Sequence, residues 1–165
     1  MISVVFSVTH MFGLVDQMKA VIQRVLSASV NISGLEIGAI NQGFLILLGV
    51  EKKDRQKDLD YLVNKTIGLR IFMDSGGDMN LSLKDVNGEA LVVSQFTLCA
   101  STCKGKRPSF ISAAPRELAD CVYQKYCEKL REENISVQTG QFGSMMEVKL
   151  INDGPVTIVL NSRER

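Results

Sequence analysis

Tryptophan is absent from this chain, histidine occurs once and proline three times among 165 residues. The one histidine, His10, sits near the N-terminus, outside every motif discussed below. A Ser-His-Asp or Cys-His arrangement therefore has no base in the body of the chain, and a histidine-based metal site has no ligands. The four cysteines, Cys99, Cys103, Cys121 and Cys127, form no paired C-x-x-C motif, and their spacings match no common zinc pattern. They read as reduced, structural thiols of a cytosolic protein. No apolar run reaches the roughly 20 residues that a membrane span requires. Neither sign of charge dominates: 19 Lys and Arg against 18 Asp and Glu leave a net charge of +1. The chain as a whole thus carries no electrostatic footprint for nucleic acid, and any RNA contact must come from a local cluster.

What is present is an ordinary globular balance, 45% apolar and 22% charged residues. The length suits one domain that buries about two thirds of its unfolded surface. Residues 1–17 are mostly apolar but lack the basic segment of a secretory signal, and Met18-Lys19 reads as a second start. Residues 1–17 are therefore expected to be an extension (an upstream start, an extra strand or helix, or an expression remnant) and residues 18–165 the domain.

Residues 20–32 alternate as a strand. Ile22, Leu26, Ala28, Val30 and Ile32 share one face, and Arg24 falls on it too. An arginine among apolar neighbours either snorkels at a sheet edge or clamps backbone carbonyls, because its charge is costly to bury unpaired. A turn at Ser33-Gly34 leads into a strand over 35–40, and residues 44–50 form a continuous apolar run, the signature of a strand covered on both faces. Asp54 is placed to cap a helix over 55–69 with Leu59, Leu62, Val63 and Ile67 inward. Residues 70–73 read as a short strand, 74–78 as a tight turn, and Leu81, Leu83 and Val86 as a hairpin arm ending at the turn Asn87-Gly88.

Residues 89–98 read as a buried strand whose far end carries Ser94-Gln95-Phe96-Thr97. The loop that follows holds Lys104, Lys106 and Arg107, either a phosphate-binding patch or simply solvated charge. Pro115 suits the first turn of a second helix over 116–133 with Leu118, Val122, Tyr126 and Leu130 inward. Residues 137–139 form a short strand and 140–143 a flexible connection presenting Phe142. Met146, Val148 and Leu150 then share a strand face. Two runs, 145–151 and 156–160, flank Asn152-Asp153-Gly154-Pro155, which reads either as a chain-reversing turn or as a special site, since proline cannot donate to a sheet ladder. Two helices among short strands predict an α/β class: layered mixed β-sheets with the two main helices on one side.

The motifs resemble those of D-aminoacyl-tRNA deacylases. The resemblance covers AVIQRV around Arg24, LLGV at 47–50, RIF at 70–72, VVSQFTL, KRPSF at 106–110, TGQFG with the later Met146, and NDGPVT, all in the same order. It implies hydrolysis of the ester joining a D-amino acid, or glycine mischarged on tRNA(Ala), to the tRNA 3′ end, in a cytoplasmic homodimer without metal or cofactor. It also implies a cis Gly154-Pro155 peptide reaching into the pocket of the partner chain. There it would face Ser94, Gln95, Phe96 and Thr97, with Phe142 and Met146 shaping the pocket and Arg24 holding the Gly-Pro carbonyls. Two catalytic schemes remain open. Thr97 acts as nucleophile, or backbone N–H groups near Phe96 and Thr97 polarise the carbonyl while the ribose 2′-OH or a water takes part in the attack. A reading from another class is a nucleic-acid-binding protein that keeps this fold without the activity.

Overall fold

A computed structural model of the chain describes residues 17–164. The expectation for residues 1–17, and His10 with it, lies outside the described residues apart from Gln17. The β-branched and leucine-rich alternation after Met18 forms the long strand β1 (Lys19–Ile32), followed by β2 (Leu35–Ile40) and β3 (Gly43–Gly49). Helix α1 (Gln56–Gly68) leads to the hairpin β4 (Arg70–Met73) and β5 (Met79–Ser82), then to β6 (Glu89–Ser94). A 3-10 helix (Phe96–Cys99), helix α2 (Arg116–Glu132), β7 (Ser136–Thr139) and β8 (Glu147–Asn161) complete the chain.

The domain is α/β, built on one six-stranded mixed sheet with the order β2-β1-β3-β6-β7 and β8 paired to β1; β4 and β5 form a separate pair. Along one edge of β1, β3 takes the first half and β2 the second, while β8 runs antiparallel along the whole other edge. This arrangement curls a single sheet toward a barrel. The expected layering of several sheets is thus replaced by one bent sheet, because β1 is long enough to serve three partners.

Alternation along the strands divides the interior in two. Ala20, Ile22, Phe44, Ile46, Ala90 and Val92 point to one face and pack under both helices. Val25, Ala28, Val30, Leu45, Leu91 and Val93 fill the other, inside the curl. The two-sided covering expected of the apolar run at β3 is therefore realised. Leu26, expected inward, is exposed, and Val25 is buried in its place. The pairing of β1 with β8 shifts register on either side of Val25, and a shift of one residue sends a side chain to the opposite face.

Both helices differ from expectation in detail. Arg55, not Asp54, is the N-cap of α1, and its N–H donates to the Asp58 carboxylate at 2.9 Å. Asp54 instead accepts the Glu51 N–H at 2.7 Å. In α2 the buried stripe is Tyr123, Tyr126, Cys127 and Leu130. Leu118 is exposed and Val122 only half-buried, because the helix is rolled to set two tyrosine rings on the sheet. Their hydroxyls are satisfied there: Tyr123 donates to the Val92 carbonyl at 2.8 Å, and Tyr126 lies 2.6 Å from the Thr66 hydroxyl.

Candidate active site

The apolar strand β6 ends at Ser94, earlier than expected. Gln95 follows as the residue that caps the turn, and Phe96 and Thr97 open the 3-10 helix. The parallel pairing of β6 with β3 carries Ser94 opposite Leu48, and the Gln95 N–H continues the ladder to the Leu48 carbonyl at 2.8 Å. The helix can lie directly on β3 because residue 49 is glycine. A Cβ there would come within 2.9 Å of Leu98 Cβ and 3.2 Å of the Gln95 carbonyl. Further anchors are Cys99 Sγ to the Val50 carbonyl (3.4 Å) and Ser112 Oγ to the Cys99 carbonyl (2.9 Å).

Beside this segment lies a cavity of about 540 Å³. Ser94, Gln95 and Phe96 form one wall, Ala113 and Ala114 with the first turns of α2 as far as Tyr123 another, and Phe142, Met145 and Met146 a third. Five expected residues therefore meet in one place: Ser94, Gln95, Phe96, Phe142 and Met146 line the same space. The Phe142 ring leans on Tyr123 with centroids 5.8 Å apart. Pattern reading missed Tyr123 and Arg116, whose guanidinium crowds Gly143 at the cavity rim. Which helix positions reach a cavity depends on how α2 is rolled, and periodicity does not fix that angle.

Thr97 is exposed on the outer side of the motif and does not line the cavity. Its hydroxyl accepts a hydrogen bond from the Gln95 side-chain amide. An amide is no base, so the Thr97 oxygen has no proton acceptor of the kind an activated nucleophile needs. The two thiols that pack in the core are also inert. Burial pushes Cys99 up to about 12, and burial likewise pushes Cys127 up to about 12. Cys103 and Cys121 are exposed, and all four cysteines are free. Among the described residues no cluster of His, Cys, Asp or Glu side chains is arranged to hold a metal ion.

Arg24, Gly154 and Pro155 form a second constellation, on β1 and β8. Of the two readings of Gly154-Pro155, a chain-reversing turn and a special site, the reversal is absent: β8 runs through the pair, and both halves pair with β1. Asn152 pairs with Val25 and Thr157 with Gln23, so residues 153–156 stand opposite Arg24 alone. The excess chain is looped out and closed by Asn152, whose Oδ1 accepts the Val156 N–H at 2.7 Å. The Gly154-Pro155 peptide is cis, and Gly154 has φ +133, a region L side chains rarely adopt.

Arg24, only 3% exposed, holds this loop from inside. Its Nε donates to the Asp153 carbonyl at 3.0 Å and lies 3.1 Å from the Asp153 carboxylate, while Nη1 donates to the Ile71 carbonyl. The clamp seizes the carbonyl before Gly154 rather than those of Gly154 and Pro155. Gly154 and Pro155 are themselves exposed and do not line the cavity within one chain.

The basic loop is tied to the first constellation. Lys104, Lys106 and Arg107 are exposed on a loop pinched by a bridge between Ser101 and Ser109. The adjoining Phe110 packs edge-on against Phe96, with centroids 5.1 Å apart.

Comparison with known proteins places this geometry among relatives. The family model described as D-Tyr-tRNA(Tyr) deacylase matches residues 21–161. A D-aminoacyl-tRNA deacylase of Dehalococcoides mccartyi is 55% identical over 148 residues, which are 90% of this chain and 97% of that protein. The protein of the same name from Desulfatibacillum aliphaticivorans is 52% identical over 146 residues, covering 88% of this chain and all of that one. Among solved structures, a c-Myc DNA unwinding element binding protein superposes with a TM-score of 0.81 at 43% identity, covering 86% of this chain and 97% of that chain. A probable eukaryotic D-amino acid tRNA deacylase shares the fold, with a TM-score of 0.73 at 16% identity, covering 88% of this chain and 99% of that chain.

Proposed function

Since the chain belongs to the D-Tyr-tRNA(Tyr) deacylase family, we propose that it hydrolyses the ester of D-aminoacyl-tRNA at the cavity beside Ser94, Gln95 and Phe96, and that a second copy of the chain completes the site. The observation that carries the reading is the split between the two constellations. One chain offers an open cavity walled by the 94–96 segment, and on another part of its surface an exposed, looped-out Gly154-Pro155 held rigid from beneath by Arg24. In a homodimer each copy supplies what the other lacks.

The chemistry follows from that pairing. The substrate's α-ammonium group is a three-fold donor, and main-chain carbonyls of the partner's loop suit it as acceptors. With amine and ester both pinned, one direction at Cα leads outward and the other into the Gly154-Pro155 backbone. A D side chain takes the first, and an L side chain collides with the second. Glycine has no side chain to collide, so Gly-tRNA, including glycine mischarged on tRNA(Ala), is a substrate too. Rejection by backbone also leaves the choice of D side chain broad.

An aminoacyl ester is already activated, and polarising its carbonyl supplies much of the catalysis. The first N–H groups of a helix have no acceptor within it. The Phe96 and Thr97 amides therefore serve as donors to the developing oxyanion, while the ribose 2′-OH or a water takes part in the attack. Lys104, Lys106 and Arg107, tethered beside Phe96, meet phosphates of the acceptor end. A cytoplasmic location follows from a tRNA substrate.

A second reading, nucleic-acid binding without hydrolysis, is favoured by the likeness to the DNA unwinding element binding protein. One experiment separates the two: incubation of the full chain with D-tyrosyl-tRNA and with L-tyrosyl-tRNA. Selective release of D-tyrosine is expected. Binding without release, or equal release of both enantiomers, refutes the proposal.

A further inference from the structure

A 3-10 helix of four residues does not hold its own position, since such short helices carry poor hydrogen-bond geometry and little cooperativity. The segment Phe96–Cys99 is fixed from outside, and one of its anchors is charged. Lys19, at the start of β1, donates from Nζ to the Leu98 carbonyl at 3.2 Å. The same ammonium lies 3.4 Å from Glu51 Oε1, with the Glu51 side chain 6% exposed and that of Lys19 28% exposed. Glu51 is fixed in turn: its Oε2 accepts the Gln17 N–H at 2.8 Å, and its own N–H donates to Asp54 at 2.7 Å. Its backbone bridges to Ala113, on the opposite wall of the cavity.

The pair therefore joins three pieces that must keep register: the motif helix, the end of β3 and the entry to α2. A charge-assisted hydrogen bond is the stronger kind, and a cation at carbonyls that end a helix is favourably placed. Neither side chain lines the cavity. Their route to the motif runs through the Leu98 carbonyl.

We propose that Lys19 and Glu51 are positioning residues for deacylation, setting through the Leu98 carbonyl where the Phe96 and Thr97 amides stand over the ester. The proposal rests on the reading that this segment receives the substrate. Small displacements of a reacting geometry cost up to about a hundredfold in rate, whereas affinity for the tRNA body depends on surfaces this pair does not touch.

The test is single-turnover release of D-tyrosine from D-tyrosyl-tRNA, with tRNA affinity and thermal midpoint measured in parallel on the full chain. Lys19→Met is expected to slow release about ten- to a hundredfold at unchanged tRNA affinity. Lys19→Arg, which keeps charge and donors, recovers most of the rate. The double variant Lys19→Met/Glu51→Gln removes the uncompensated buried carboxylate, so its thermal midpoint recovers while its rate stays low. A wild-type rate in folded Lys19→Met overturns the proposal, as does a rate that recovers together with the midpoint in the double variant. Should Lys19→Met fail to fold, the double variant decides alone: a low rate supports the pair, a wild-type rate overturns it. Failure of the wild type to release D-tyrosine would instead remove the deacylase reading itself.

Discussion

Arg24 Nε sits 3.0 Å from the Asp153 carbonyl oxygen and 3.1 Å from the Asp153 carboxylate, so one buried nitrogen addresses both the backbone and the side chain of a single residue. Nη1 of the same guanidinium reaches the Ile71 carbonyl on β4. The shape of the 153–156 loop is thereby set by β1 and β4 together. Arg24→Lys is predicted to lose this function despite keeping the charge, because one ammonium cannot reproduce a planar fork that serves two directions. The expected cost is about 1–3 kcal/mol of stability, read from urea denaturation, with a loss of discrimination between D- and L-tyrosyl-tRNA. An unchanged D-to-L ratio in a folded Arg24→Lys protein would show that the clamp has no part in selection.

Thr97→Ala is predicted to keep single-turnover deacylation within about tenfold of wild type, since only one neutral hydrogen bond, from Gln95, is removed. Were the hydroxyl the nucleophile, the loss would be roughly 10³-fold or more, beyond what a positioned acid or base commonly contributes. The rate of the folded variant on D-tyrosyl-tRNA distinguishes the two schemes.

Stability is predicted to fall as pH rises from about 4 to about 7. Desolvation is the largest cause pushing the Asp54 carboxyl from 3.8 up to about 7; the Asp58 and Glu51 charges add to it, and the Glu51 N–H opposes it. A carboxyl raised on folding holds its proton in the native state through a range where the unfolded chain has released it. The native state then binds more protons, and the free energy of unfolding declines with pH until both states are ionised. Asp54→Asn removes this slope. Thermal midpoints of both proteins between pH 5 and pH 8 check it: parallel curves would refute the assignment.

Thiol alkylation is predicted to leave the deacylation rate unchanged. The exposed thiols Cys103 and Cys121 are accessible to reagent but do not line the cavity. Cys99 is buried, and its raised pKa leaves almost no thiolate at neutral pH. Activity after iodoacetamide treatment under native conditions provides the measurement, and inactivation would implicate a cysteine in the mechanism.

Much of the architecture could be read from residue pattern, and the failures share a cause. β2 spans residues 35–40 and β4 residues 70–73 as expected, because turn residues bound them and a single periodicity runs through each. At Gly154-Pro155 the pattern left a turn and a special site both open, because a Gly-Pro pair inside a strand looks like a turn. Only the partner strand, pairing on both sides of Arg24, shows that the direction never reverses. Leu26 was misread for a related reason: a register shift is a property of two strands and leaves no mark on one. In the candidate site the motif residues Ser94, Gln95, Phe96, Phe142 and Met146 were found in advance and share one cavity. Arg116 and Tyr123 were not, since their reach depends on the roll of α2. That roll is set by two tyrosines whose hydroxyls find partners in the core.

Gly49 works by subtraction. The thickness of the gap between β3 and the motif helix is the thickness of a bare backbone, with Leu98 and Gln95 already occupying the volume any side chain would need. The seat of the motif beside the cavity is therefore calibrated by a missing methyl group. A single added carbon would lift the whole motif off its seat while leaving every residue that lines the cavity intact.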